Sequence, residues 1–272
     1  MRRTQRAPER VGLADEAQAV ELAQSIFNTF YLQEAVRLVQ REESKEQRAL
    51  IIGLGTGISA RALARHGVDV VIAEIDPAVY HYAQEFFGVR TPQAGLYLED
   101  ARRTLARPNL QPFDFVIHDV FTGGSVPAAL FTLEFWQQVK KRLKTDGVLA
   151  VNFAGDLNSP ASLAILHTLT RSFVSSRAFD DGTPGDYKNL VIFCTDVPRL
   201  DFRQPEGADY LDLPARQEVL DHFLERKVSL EISGGSTLTD HNSSVLDSWQ
   251  HASALQHWRM LRDQIGSDFW MA

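Results

Sequence analysis

"LIIGLGTGISARAL", residues 50–63, decides the fold. A run of apolar and β-branched residues breaks into three alternate glycines, Gly53, Gly55 and Gly57, and apolar residues then return at helical spacing. A strand that ends in glycines and re-enters as a helix is the first turn of a parallel α/β sheet. Its bare backbone N–H groups approach a ligand that a Cβ would hold off.

Working outward, "VDVVIAEID", "GLYLED", "FDFVIHDVF" and "TDGVLAVNF" read as further strands. Helices are expected between them in "GISARALARHG", "PAVYHYAQEFFG", "ARRTLAR" and "PAALFTLEFWQQVKKRLK". Gly67 suits a left-handed helix stop, Asp76 a helix cap, and Pro77 the first turn behind it. Residues 160–172 read as a helix, and "SFVSSRAFDD" with "KNLVIFCTD" as an antiparallel hairpin on the sheet edge, joined through "DDGTPGD". This alternation predicts an α/β, doubly wound, mostly parallel sheet with helices on both faces.

Ahead of the glycine turn, Val20, Ala23, Phe27, Ala35, Leu38 and Val39 share one stripe, so residues 14–41 read as one amphipathic helix. The expected organisation is a flexible tail (1–13), an N-terminal helical segment (14–48), a nucleoside-binding domain (49–197) and a C-terminal helical appendage (198–272). No internal repeat is evident.

The chain has 272 residues, is 44% hydrophobic, and carries a net charge of −7, which argues against nucleic acid as the main partner. The basic "KKRLK" (140–144) reads as a solvated helix face. Cys194 is the single cysteine, inside an apolar run. It is expected to be a buried, inert thiol in a reducing, cytoplasmic setting. No apolar run approaches the roughly 18 residues that span a membrane, and no His, Cys or carboxylate group has metal-ligand spacing.

Ligands of such sheets sit at the carboxyl ends of the strands. Glu74 closes the second strand, where a carboxylate accepts from both ribose hydroxyls; Ile75 follows it. Asp100 follows the third and suits an adenine amino group, with the Ala101 N–H beside it, or a helix cap. Asp119 ends the fourth and faces the reacting end. The third glycine comes one residue early for a dinucleotide fingerprint, and the turn has no P-loop lysine. A nucleoside without phosphates is the expectation, namely S-adenosylmethionine or a relative.

"LIIGLGTG", "VVIAEIDPAVY", "YLEDARRTL", "FDFVIHDVF" and "LFTLEFWQQVKKRLKTDGVLAVN", in this order, resemble the polyamine aminopropyltransferases, the spermidine synthase group, over about residues 31–196. "TLTDHNSSVLD" (237–247) is similar to the closing segment of spermidine-synthase-like proteins. The resemblance implies a Rossmann-like methyltransferase fold that binds S-adenosylmethionine or its decarboxylated form. Gly53, Gly55, Glu74, Asp100, Ala101 and Asp119 would hold the nucleoside, and Thr56, Gly57 and Ile75 are counted with them.

Three departures turn the expected reaction. Aminopropyltransferases carry an acid in the turn, "GGGDG", where this chain has Thr56. Such an acid suits the free amine of decarboxylated cofactor but faces the carboxylate of S-adenosylmethionine. At about 4 Å and an effective dielectric of about 20 that repulsion is roughly 4 kcal/mol. The second acid of the family's "D-S-x-D-P" segment becomes Thr122, so an ammonium acceptor loses its base. The β-rich segment that precedes the turn in the family is replaced by a helix.

Methyl transfer is therefore expected, to a small-molecule or protein acceptor. An aminopropyltransferase using decarboxylated cofactor and a non-catalytic scaffold are the alternatives. Asp119 and His118 are the candidates to orient the acceptor or take its proton. They alternate on one strand, so one of them is expected to point away. Tyr31, Gln33, Phe121, Thr122, Asp156 and Asp240 are expected on the acceptor side, with Asp240, His241 and Asn242 forming a polar cluster that also suits loop capping. Aromatics in "FWQQV" and "SDFW" suit a homodimer or core packing.

Overall fold

The apolar runs become the strands of one eight-stranded sheet, ordered β3-β2-β1-β4-β5-β7-β6-β8. These are β1 (Arg48–Ile52), β2 (Asp69–Glu74), β3 (Gly95–Leu98), β4 (Phe113–His118), β5 (Leu143–Asp156), β6 (Ser175–Asp180), β7 (Tyr187–Thr195) and β8 (Lys227–Val228). β1 to β5 pair in parallel, and β7, β6 and β8 continue antiparallel. The order reverses between β1 and β4, which makes their carboxyl ends the switch point. The computed structural model describes residues 28–42, 46–120, 126–182, 187–230, 232 and 234–247, and single positions at 254, 255, 258, 259 and 262. The expected tail, most of the expected N-terminal helix, Phe121, Thr122 and "SDFW" lie outside the described residues.

Helices cover both faces. Residues of α1 (Thr29–Glu34), α2 (Ile58–Arg65), α3 (Pro77–Phe87) and α7 (Pro214–His222) share one core with Ala49, Ile51, Phe115, Ile117, Val148 and Ala150. Residues of α4 (Ala101–Ala106), α5 (Leu133–Arg142) and α6 (Pro160–Ser172) share the other with Leu50, Ile52, Val116, Leu149 and Val151. Strand side chains alternate between faces, so each run feeds both cores.

Local chemistry sets the helix ends. Asp76 accepts from the Ala78 N–H (2.8 Å) and Asp100 from the Arg102 N–H (2.7 Å), so both expected caps are present. Gly67 (φ 76°) and Gly88 (φ 65°) close α2 and α3 in the left-handed region.

Three expectations need correction. The helix expected over 14–41 does not reach 41: α1 ends at Glu34, a 3-10 turn spans Ala35–Leu38, and Val39 is extended in a bridge to Phe202. Its apolar stripe continues because Leu38 and Val39 still enter the same core. The helix expected from "PAALF" starts only at Leu133, behind a Thr132 cap, and stops at Arg142, where β5 begins. "KKRLK" is not a wholly solvated face. Arg142 donates to the Leu105, Leu110 and Arg107 carbonyls, and Lys144 lies 2.8 Å from the buried Asp114 carboxylate.

The antiparallel hairpin gains β8 on its outer side from the expected appendage. Cys194 is buried in β7 and burial pushes its thiol well above the usual range, as expected of an inert thiol.

Candidate nucleoside site

The glycine turn lies against the end of β4. Gly53 (φ 82°) donates its N–H to the Ala73 carbonyl, and the Asp119 N–H donates to the Ile52 carbonyl. A Cβ on Gly53 would sit 2.1 Å from the Asp119 carbonyl oxygen, so glycine is required. Gly57 (φ 74°) is required on the other side, where a Cβ would meet Val89 at 2.3 Å. Between them Gly55 (φ 52°) is exposed, and a Cβ there would meet nothing within 4 Å. The apex is therefore an open backbone cradle.

Glu74 fastens this cradle. Its Oε2 accepts from the Leu54 N–H (2.8 Å) and its Oε1 from the Asp76 N–H (2.9 Å), at 6% exposure. Each oxygen keeps a second lone pair. Ile75 next to it is 68% exposed, an apolar side chain left open at the carboxyl end of β2. Asp100 and Ala101 lie at the neighbouring end of β3, one half-buried and one buried.

Asp119 is the centre of a polar chain. Gln33 Nε2 donates to its Oδ2 (3.1 Å), and Asn152 Nδ2 donates to its Oδ1 (2.8 Å). Ser59 Oγ donates to Gln33 Oε1 (2.7 Å) and Thr29 Oγ1 to Asn152 Oδ1 (3.2 Å), which turns both amide N–H₂ groups towards Asp119. Burial pushes the Asp119 carboxyl up, and the two amides oppose it by stabilising the anion. The result is an anchored carboxylate with lone pairs to spare, suited to hold a cationic or N–H donor group.

Of the residues expected here, Gln33 joins Asp119 directly and the glycines, Glu74, Ile75, Asp100 and Ala101 line the strand ends. His118 does not join them. It faces the opposite side of the sheet, wholly buried among Phe131, Phe135 and Trp136, with ring centroids 5.0–5.4 Å away. Burial lowers its pKa to about 3, so it is a neutral core residue.

Tyr31 is also buried, under the Arg216 guanidinium at 5.3 Å. Asp156 accepts from the Asn158 N–H (2.9 Å) and shapes the turn into α6. Asp240 accepts from Arg102 and from Thr132 Oγ1 (2.7 Å), strapping the 237–247 segment to α4 and α5. Asn242 accepts from the Thr239 N–H (2.7 Å), which is loop capping.

The sequence reading missed Asn152, Ser59 and Thr29. A polar residue in the apolar run "LAVNF" was a signal for Asn152. Ser59 carried none beyond its place just after the turn, and Thr29 carried none.

Residues 29–160 match the spermine/spermidine synthase domain. That match covers just under half of the chain. The chain is similar to the polyamine aminopropyltransferase of Vibrio vulnificus, 37% identical over 40% of this chain and 38% of that one. A longer similarity runs to the N-terminal histidine N-methyltransferase of Emericella nidulans, 34% identical over 90% of this chain and 48% of that protein. The chain thus spans about half the length of that relative and less of the other.

Among solved structures, a probable spermidine synthase from Corynebacterium glutamicum has a TM-score of 0.57 at 17% identity, covering 80% of this chain and 85% of that one. Human methyltransferase-like protein 13, in complex with SAH, has a TM-score of 0.52 at 19% identity, covering 85% and 96%. The sheet therefore has the Rossmann-like α/β fold of these two structures, as expected. Among the described residues no helix is long and apolar enough to cross a membrane, and no His, Cys, Asp and Glu group could hold a metal ion.

Proposed function

We propose that this chain binds S-adenosylmethionine and methylates the N-terminal histidine of a protein. The observation that carries the reading is the 34% identity, over 90% of this chain, to a protein named for that reaction. Thr56 supports it, because an uncharged turn accepts the carboxylate that the acid of an aminopropyltransferase would repel.

The residues present fit the cofactor. The open apex at Gly55 leaves room for backbone contact. Glu74 would accept from the ribose hydroxyls with its remaining lone pairs, Ile75 would cover one face of the adenine, and Asp100 with the Ala101 N–H would meet its edge. S-adenosylmethionine supplies an electrophilic methyl group when bound. The chain's own part is to align the acceptor nitrogen with that methyl and to exclude water. Asp119, held by Gln33 and Asn152, would seat a donor group at the reacting end. His118, on the far face, takes no part.

The domain match and the Vibrio relative favour aminopropyl transfer as a second reading. One experiment separates the two. The protein is incubated with S-adenosylmethionine and a synthetic peptide that begins with histidine, and in parallel with decarboxylated cofactor and putrescine. The expected outcome is a mass gain of one methylene on the peptide's first residue and no aminopropyl product. Aminopropyl product alone would overturn the reading, and product in neither arm would favour a non-catalytic member. A cytoplasmic, reducing location and homodimer formation belong to the same proposal, the first supported by the single buried Cys194.

A further inference from the structure

Helix α1 reaches the site through Gln33, yet it has only six residues, Thr29–Glu34. A helix that short does not hold itself in water, so tertiary ties set its place and rotation. Two of its side chains serve Asp119: Gln33 directly, and Thr29 through Asn152.

The tie on its outer side comes from a residue 182 positions away. Glu34 accepts from Arg216 Nε (2.7 Å) and Nη2 (3.2 Å), a two-point contact, and both residues are buried, at 2% and 5% exposure. Arg216 is itself fixed, donating to the Tyr210 carbonyl (3.2 Å) and lying over the Tyr31 ring of α1. Successive residues of a helix point about 100° apart. A fork that fixes the rotation of Glu34 therefore also aims Gln33. Burial pushes the Glu34 carboxyl up to about 7 against the pull of Arg216.

We infer that Arg216 is a positioning residue, which acts through Glu34 to orient α1 so that Gln33 and Thr29 fix the Asp119 carboxylate from both sides. The C-terminal part of the chain thereby sets the geometry at the switch point without touching it. Its effect on turnover rests on the function proposed above, but the geometric claim does not.

The test reads Asp119 with no ligand present. Carboxyl carbons of the full chain are labelled with ¹³C and titrated by NMR, with Asp119→Asn to assign the signal and Gln33→Ala as the reference for a lost amide. The decisive variant is the double replacement Glu34→Leu with Arg216→Met, since swapping a buried ion pair for apolar side chains often leaves stability intact. The expected result is a folded chain whose Asp119 titration moves to higher pH, towards that of Gln33→Ala. An Asp119 titration that overlays the wild type would overturn the inference and leave the pair a packing element. Should the double variant not fold, Arg216→Lys reads the same point. It keeps the charge but loses the fork, and an upward shift supports the inference whereas an unchanged titration overturns it. Absence of methyl transfer in the earlier experiment leaves this result standing.

Discussion

Gly53 and Asp119 meet backbone to backbone: a Cβ on Gly53 would lie 2.1 Å from the Asp119 carbonyl oxygen. The glycine turn and the end of β4 are thus one unit, and the turn cannot be changed without moving the carboxylate. Gly53→Ala adds both this overlap and left-handed strain, so it should cost about 3 kcal/mol or more in urea unfolding. Gly55→Ala has the same kind of strain but open space, and should cost about 1 kcal/mol. Equal losses at the two positions would mean that the contact with Asp119 does not constrain Gly53.

His118 gives the chain an acid-side weakness. Its pKa is about 3 in the fold, against about 6.5 when unfolded. Above pH 6.5 both states are neutral and nothing is lost. Below it the unfolded chain takes a proton that the fold refuses, so stability falls as the pH drops from 6.5 towards 3. The full effect is on the order of a few kcal/mol. His118→Leu should flatten that part of the stability–pH curve while leaving S-adenosylhomocysteine binding at pH 7.5 unchanged. A curve as steep as the wild type's would place the acid sensitivity elsewhere.

What the sequence revealed here follows from the reach of each signal. The sheet was legible because its strands are apolar runs punctuated by Gly67, Asp76 and Pro77, all local marks. The alternation of His118 and Asp119 already required one of them to face away, and burial decided which. Asn152 was harder, because its meeting with Asp119 depends on the register of β4 against β5, which sets His118 beside Val151. The Glu34–Arg216 pair was beyond reach: two charged residues far apart in sequence carry no mark of sharing a core. The end of α1 was misjudged because a 3-10 turn and a bridge can bury the same apolar residues as a helix.

Asp240 was expected near the acceptor, but its carboxylate is spent on Arg102 and Thr132. Hydrogen bonds to Arg102 and Thr132 hold its pKa below the usual range. The pair is partly exposed, so solvent screens it, and Asp240→Ala should cost about 1 kcal/mol or less. Methyl transfer to the histidine peptide should keep its KM within about twofold, since a change that small is well under 1 kcal/mol. A large rise in KM with stability unchanged would restore Asp240 to the acceptor side.

Thr56 offers the sharpest test of cofactor choice. It is half-buried in the turn, next to the open Gly55 apex. Thr56→Asp restores the acid of the resembling aminopropyltransferases at the place where the cofactor's amino-acid end is expected. The repulsion of roughly 4 kcal/mol applies to a pair about 4 Å apart near the protein surface. Partial exposure reduces it, so S-adenosylmethionine should bind about tenfold or more weaker. The decarboxylated form has lost the repelled group and should bind as well as before or better. Calorimetric titration of both ligands on both proteins reads the ratio directly. Equal weakening of the two ligands would mean that Thr56 shapes the turn without sensing the carboxylate, and the argument for methyl transfer would then rest on the Emericella relative and the two other departures from the aminopropyltransferase pattern.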